Sequence, residues 1–350
     1  MAGKKQFAGI DAFRLAAAFM VIAIHTSPFS VWNETADFLF SYCLCRIAVP
    51  FFLMTTGYFV LGPYIFGNAT KKRRLEKYLV KNTALYLAVT FLYLPLSLYA
   101  GNFPKSAGEG FRNFFFDGTF YHLWYFPAAV TGCILIVLFA RKSLFPAVIF
   151  SGAAYVIGVF GDSCYGMIKD VPGINAVYEG IFSFSSYTRN GIFFAPLFLL
   201  MGAALARPAF CAKSSGKEKT SRFSLICGMV FSAGGMFLEG FFTYSRDLQK
   251  HNSMYFFLIP LMYFLFRLLL LVPGRVPLWI RKSTMPVYIL HPAVLVGVRG
   301  MAKAMGKTEI FVENTFVCYL LVCGISFVLA VLLQKMFQYS LTLFRLEDME

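Results

Sequence analysis

Apolar residues run along this chain in blocks of about twenty, divided by short polar segments, and that spacing is what a bilayer-crossing helix requires. Ten blocks fall at roughly 7–28, 38–62, 79–99, 121–140, 143–160, 190–206, 223–242, 253–272, 283–300 and 315–340. They predict an all-α fold, a polytopic membrane helical bundle of about ten transmembrane helices. One domain is expected over 1–345, with a C-terminal tail at 346–350. An even number of crossings places both termini on one side. The first block is expected to stay as structure and not to be removed as a signal peptide, because it is long and is followed by further spans. It also contains Arg14 and His25, which the apolar core of a signal avoids.

Between the blocks, 207–222 holds Ser214, Ser215, Gly216 and alternating lysines and reads as a flexible connection. The segments 100–119 and 161–188, rich in Gly and aromatics, are expected to fold over the outer mouth of a cavity. No internal repeat supports an inverted-repeat transporter.

Composition agrees with the pattern. Of 350 residues 58% are hydrophobic and only 14% charged, against about a quarter charged in soluble domains; the mean hydropathy is +0.66. The net charge of +15 excludes little by itself. A nucleic-acid binder, however, displays Lys and Arg as a patch on a soluble fold, whereas here they lie in short loops, so no nucleic-acid partner is expected.

With the amino terminus inside, twenty of the 32 basic residues fall on inner segments: Lys4, Lys5, Lys71, Lys72, Arg73, Arg74, Lys77, Lys81, Arg141, Lys142, Arg207, Lys213, Lys217, Lys219, Arg222, Arg275, Arg281, Lys282, Lys335 and Arg345. Eight fall outside. That asymmetry predicts a multi-pass protein of the cell membrane with both termini cytoplasmic. The eight cysteines, including Cys211, show no CxxC pair and read as buried thiols, neither a disulfide framework nor a zinc site.

Charged groups at membrane depth are costly, so they usually face the bundle interior and mark pathways or sites. Arg14 and His25 stand eleven residues apart. Three helical turns take about 10.8 residues, so both project from nearly one face, roughly 16 Å apart along the axis. Histidine suits proton transfer near neutral pH; arginine holds a phosphate, a carboxylate or a developing anion. The bland alternative is a His25 hydrogen bond to a neighbouring helix and an Arg14 that snorkels to headgroups.

Arg46 lies in the second block, where Pro50 and Gly57 should bend the helix. Glu239 is the one acid well inside an apolar block; it is a candidate partner for Arg46 or Arg189, or for a substrate ammonium. His122 and His251 are expected at outer span ends, lining a mouth, or in an aromatic belt with Tyr121, Trp124 and Tyr125 for His122 and in an ordinary loop for His251. His291, just before Pro292, is expected to satisfy the carbonyl that the proline cannot serve. No Ser-His-Asp set, glycine-rich phosphate loop or HExxH spacing is present, and four scattered histidines argue against a metal site.

These residues carry a resemblance. Arg14, ten residues, then His25 in the first helix resembles the acyltransferase-3 family of integral membrane proteins. So do Gly9-Ile-Asp-Ala-Phe-Arg14, Arg46-Ile-Ala-Val-Pro-Phe-Phe-Leu-Met-Thr-Thr-Gly57-Tyr58 and Ser283-Thr-Met-Pro-Val-Tyr288-Ile-Leu-His291-Pro292. The likeness covers nearly the whole chain. Within the family, Tyr121-His-Leu-Trp-Tyr-Phe-Pro127, Thr188-Arg-Asn-Gly-Ile-Phe-Phe194 and Lys250-His-Asn-Ser-Met-Tyr255 are similar to the membrane module of VanT-type serine racemases of vancomycin-resistant bacteria. In those proteins a cytoplasmic racemase domain follows the last helix; here the sequence ends at Glu350, so the racemase is expected to be absent, separately encoded or removed. The family's cytoplasmic Arg-x-x-Arg element is represented by Arg74-Leu-Glu-Lys77, which keeps the charge and halves the fork geometry.

The resemblance implies one of two functions. In the first, acyl-CoA serves as co-substrate, with no resident cofactor: Arg73, Arg74 and Lys77 meet its phosphates, and the acyl (acetyl) group passes to a hydroxyl of an extracytoplasmic sugar or cell-wall acceptor. His25 is then the general base or transient acyl carrier, and Arg14 orients the donor or stabilises the oxyanion. In the second, the module takes up L-serine for a serine/alanine racemase, with Arg46 or Arg189 on the carboxylate, Glu239 near the ammonium and His122 beside the substrate path.

Overall fold

The computed structural model describes residues 7–67, 72–101, 103–140, 143–207 and 221–347, with side chains as far as Met336. Lys4, Lys5, Lys71, Arg141, Lys142, Cys211, Lys213, Ser214, Ser215, Gly216, Lys217, Lys219 and the last three tail residues lie outside the described residues, and of Arg345 only the helical backbone is described. The fold is helical, and no strand forms among the described residues.

Ten apolar helices follow one another: α1 Ala8–Thr26, α2 Glu34–Phe66, α3 Lys72–Tyr99, α4 Tyr125–Phe139, α5 Leu144–Phe160, α6 Ala195–Ala206, α7 Arg222–Ser245, α8 Leu258–Leu270, α9 Leu278–Ala304 and α10 Thr315–Glu347. Each predicted block holds one of them. Six are long and apolar enough to cross a bilayer: α1, α2, α3, α7, α9 and the Thr315–Met336 part of α10. The other four contain 15, 17, 12 and 13 residues and rise roughly 18–26 Å, short of a hydrocarbon core of about 30 Å.

The sequence pattern overstated three of these four because apolar residues continue into turns. Residues 118–124, 185–194 and 246–257 are non-helical, and α4, α6 and α8 begin only after them. Backbone of this kind survives in apolar surroundings when side chains satisfy it. The fully buried Asn190 accepts through Oδ1 from the N–H groups of Ile192 (2.9 Å) and Phe193 (3.1 Å). The fully buried Asp162 accepts through Oδ1 from Ser253 (2.6 Å) and Met254 (2.9 Å).

The described residues form two compact units, one from Met1–Ala48 with Leu268–Glu350 and one from Val49–Arg267. In the first, α1 packs on α9 and α10 through Ala18, Ile22, Val287, Leu295 and Val322. The start of α2 lies against α1 through Ala23, Ile24 and Cys45. That start is irregular, with a π-helical turn at Phe38–Cys43 and a 3₁₀ turn at Leu44–Ile47, directly ahead of Pro50. A second π turn falls at Gly57–Leu61, so the helix departs from α geometry on both sides of the proline.

In the second unit, α2 and α6 approach through glycines. A Cβ at Gly57 would overlap the carbonyl oxygen of Leu199, and one at Gly202 the carbonyl oxygen of Met54. Gly202→Val is therefore expected to push the two backbones apart and to destabilise the protein by about 1–3 kcal/mol or more. A fall in the apparent Tm of the detergent-purified variant measures this. Gly152→Ala, where an added Cβ meets nothing within 4 Å, serves as the neutral control. Among the described cysteines, Cys43, Cys45, Cys133, Cys164 and Cys318 are buried thiols as expected, while Cys227 is exposed.

Candidate functional site

In the first unit, α1 carries Arg14 near its start and His25 in its last turn. Arg14 is not left to snorkel. Its Nη1 donates to Asp11 Oδ1 at 2.9 Å, one turn earlier, and Arg281 Nη1 of α9 stands 3.8 Å from Asp11 Oδ2. One carboxylate thus serves two guanidiniums and holds Arg14 along the helix. The i,i+3 spacing of Asp11 and Arg14 within Gly9-Ile-Asp-Ala-Phe-Arg14 is the sequence signal for this pair.

At the other end of α1, the imidazole of His25 stacks on that of His291 of α9, with ring centroids 5.5 Å apart and 19° between the planes. His291 is fully buried, and its Nδ1 stands 2.8 Å from the carbonyl oxygen of Tyr288. A carbonyl only accepts, so Nδ1 carries the hydrogen. Tyr288 is four residues before Pro292, which has no N–H to give that carbonyl. The structural role expected for His291 is therefore present, and so is a contact with His25 that sequence spacing does not reveal. Arg46 places its guanidinium carbon 5.3 Å from the centre of the Tyr42 ring.

In the second unit, the three VanT-like stretches come together around Arg189. Its guanidinium lies 4.3 Å from the ring centre of Tyr187 and 5.4 Å from that of Trp124, and Nη1 donates to Ser253 Oγ at 3.3 Å. His251 packs on Tyr187 with 4.4 Å between centroids, and its Nε2 lies 3.2 Å from the Ser186 carbonyl oxygen. Aromatic faces attract a guanidinium through its delocalised charge.

Glu239 takes a different place from the one expected. Its Oε1 accepts from Phe256 N–H at 2.8 Å and its Oε2 from Phe257 N–H at 2.9 Å. Both oxygens thus serve the backbone that leads into α8, where a carboxylate also complements the helix dipole. The physical reason is that α8 starts late: the N–H groups of the non-helical residues ahead of it need acceptors, and Asp162 and Glu239 supply them for Ser253, Met254, Phe256 and Phe257.

His122 is 1% exposed and is enclosed by the rings of Tyr93, Phe120 and Tyr121 at 5.1, 5.8 and 5.6 Å. It is an interior packing residue more than a mouth-lining one. Arg73, Arg74 and Lys77 project from the first turns of α3 and are exposed. Lys72 reaches Glu76 at 3.8 Å, and none of the three is held in an ion pair among the described residues. They form a basic helix end open to an anion.

Comparison with known proteins fits this arrangement. The acyltransferase-3 model, described as an acyltransferase domain, matches residues 7–335. An amino-acid racemase of Enterococcus faecalis is 40% identical over 332 residues, covering 93% of this chain and 45% of that protein. A second amino-acid racemase of the same species is 36% identical over 95% of this chain and 46% of its own length. A serine/alanine racemase of Enterococcus gallinarum is 34% identical over 93% and 46%. The chain thus spans a little under half the length of these relatives. No solved structure matches it. The Arg14-x10-His25 resemblance and the likeness to racemase membrane modules both hold, and the chain belongs to the acyltransferase-3 family of multi-pass membrane proteins.

Proposed function

We propose that this chain is a membrane O-acyltransferase that moves an acyl group from cytoplasmic acyl-CoA to a hydroxyl of an extracytoplasmic sugar or cell-wall acceptor. The observation that carries this reading is the imidazole of His25 at the end of α1, half-buried and braced by the ring of His291. His25 takes the acceptor's hydroxyl proton while that oxygen attacks the thioester carbon. The tetrahedral oxyanion then collapses, the C–S bond breaks, and the imidazolium returns the proton to the departing thiolate. Arg14, held by Asp11, orients the donor. Arg73, Arg74 and Lys77 meet its phosphates, which requires the start of α3 to face the cytoplasm, in accord with the basic bias of the inner segments. Both termini are then cytoplasmic, the membrane is the cell membrane, and 1–345 works as one domain.

The test is release of free thiol from acetyl-CoA by proteoliposomes supplied with a hydroxylated cell-wall glycan. Replacing Arg73, Arg74 and Lys77 together by Gln is expected to raise KM for acetyl-CoA about tenfold or more and to leave kcat within about twofold, because exposed phosphate contacts act on binding. An unchanged KM would remove this basic end from the donor site.

A second reading has its own support, the racemase names of the relatives. In it the module supplies L-serine to a serine/alanine racemase, on the same chain or separate, in the manner of a vancomycin-resistance membrane module. Arg189 in its aromatic frame would hold the serine carboxylate, with Arg46 as the other candidate. Each Glu239 oxygen already accepts one N–H, from Phe256 and Phe257, which leaves the carboxylate less to offer an ammonium and weighs toward acyl transfer as the primary reading. Accumulation of labelled L-serine in proteoliposomes without acetyl-CoA would favour the second.

A further inference from the structure

Pro292 and His291 do more than end a hydrogen-bond ladder. Pro292 cannot donate to Tyr288 O, so His291 Nδ1–H does so at 2.8 Å; this anchors a fully buried ring on a backbone atom of its own helix. The anchored ring lies nearly parallel to His25, 19° apart in plane and 5.5 Å between centroids. His25 itself sits one residue before the end of α1, ahead of Ser27 with a φ of 48°. A base works only if its in-plane lone pair points at the proton to be taken. A flat ring stacked on the imidazole restrains that plane.

Resting on the acyl-transfer reading, we propose that His291 is a positioning residue for His25: the proline-anchored ring holds the plane of the His25 imidazole so that a ring nitrogen stays aimed at the acceptor hydroxyl. The device needs three parts already in the sequence, namely Tyr288 as anchor, His291 as brace and Pro292 as the reason for the anchor. Loss of the partner that orients a metal-ligating imidazole commonly costs about 10- to 100-fold, and a brace on a general base is expected to act on the same scale.

A helix-mending role and a positioning role separate in the double variant His291→Ala/Pro292→Ala. There the N–H of residue 292 is restored to Tyr288 O, so that carbonyl keeps a donor without His291, while the stacked ring is gone. The double variant is expected to lose about 10- to 100-fold in kcat with KM within about twofold. His291→Phe/Pro292→Ala, which returns a flat ring, is expected to recover most of that loss and also guards against a folding failure of the alanine variant.

An arm independent of turnover uses 15N-histidine labelling in liposomes. The chain has four histidines, and His25→Gln assigns the His25 signals. In the alanine double variant the His25 ring resonances are expected to shift and broaden, and in the phenylalanine variant to return. Wild-type kcat in the alanine double variant, no recovery with phenylalanine, or unchanged His25 resonances would each overturn the proposal. If the wild type turns over no acyl-CoA at all, the acyl-transfer reading fails while the resonances still decide whether His291 positions His25.

Discussion

Alanine at position 25 is expected to lower kcat for acyl transfer by about 10²- to 10⁴-fold, the span that a well-placed general base contributes. The protein should keep its fold, because His25 is half-buried at the end of α1 and the core contacts of that helix run through Ala18 and Ile22. Apparent Tm and elution volume of the variant therefore stay close to wild type while thiol release from acetyl-CoA falls. His25→Gln should be no better, since an amide holds a hydrogen bond but takes no proton near neutral pH. Wild-type turnover in either variant would remove His25 from the chemistry.

The largest effect on stability is expected at Asp162, for Asp162→Ala. The side chain is fully buried and receives the N–H groups of Ser253 and Met254, and each donor stranded by its loss costs about 1–3 kcal/mol. Ser163 Oγ and Tyr155 O–H still hold the carbonyls of Met254 and Tyr255, so the segment loses its donors' partner but not every tether. A marked drop in apparent Tm, with aggregation on extraction, is the expected result. Asp162→Asn keeps an oxygen acceptor and should cost less. Equal stability of wild type and Asp162→Ala would mean that the Asp162 carboxylate is not what holds the turn leading into α8.

The same turn shows how far the sequence carries. Period and hydropathy locate all ten helices, because a run such as 223–242 has no other use than burial along its length. They fail at 185–194 and 246–257, where Ile, Phe, Met and Tyr are as apolar as in the helices they lead into. Only tertiary partners such as Asn190 and Asp162 reveal those segments as turns. Asp162 itself read as an outer-loop residue. At the site, Arg14 and His25 were legible as an isolated charge and imidazole on one face, and the His291 bond to Tyr288 O followed from Pro292 alone. The stack of His25 on His291 joins residues more than 260 positions apart, and no local pattern encodes it. Glu239 misled for a related reason: an acid in an apolar block signals a partner, but nothing local tells backbone N–H groups from a cation.

The most direct test of acyl transfer follows the group itself. Proteoliposomes of the purified chain are given acetyl-CoA labelled in the acetyl carbon on the side of the α3 start, and a hydroxylated cell-wall glycan on the other. Label recovered on the glycan as a base-labile ester, lost with His25→Ala, is the result this account requires. Labelled L-serine accumulating in the same vesicles, with no label on the glycan and no consumption of acetyl-CoA, would contradict it.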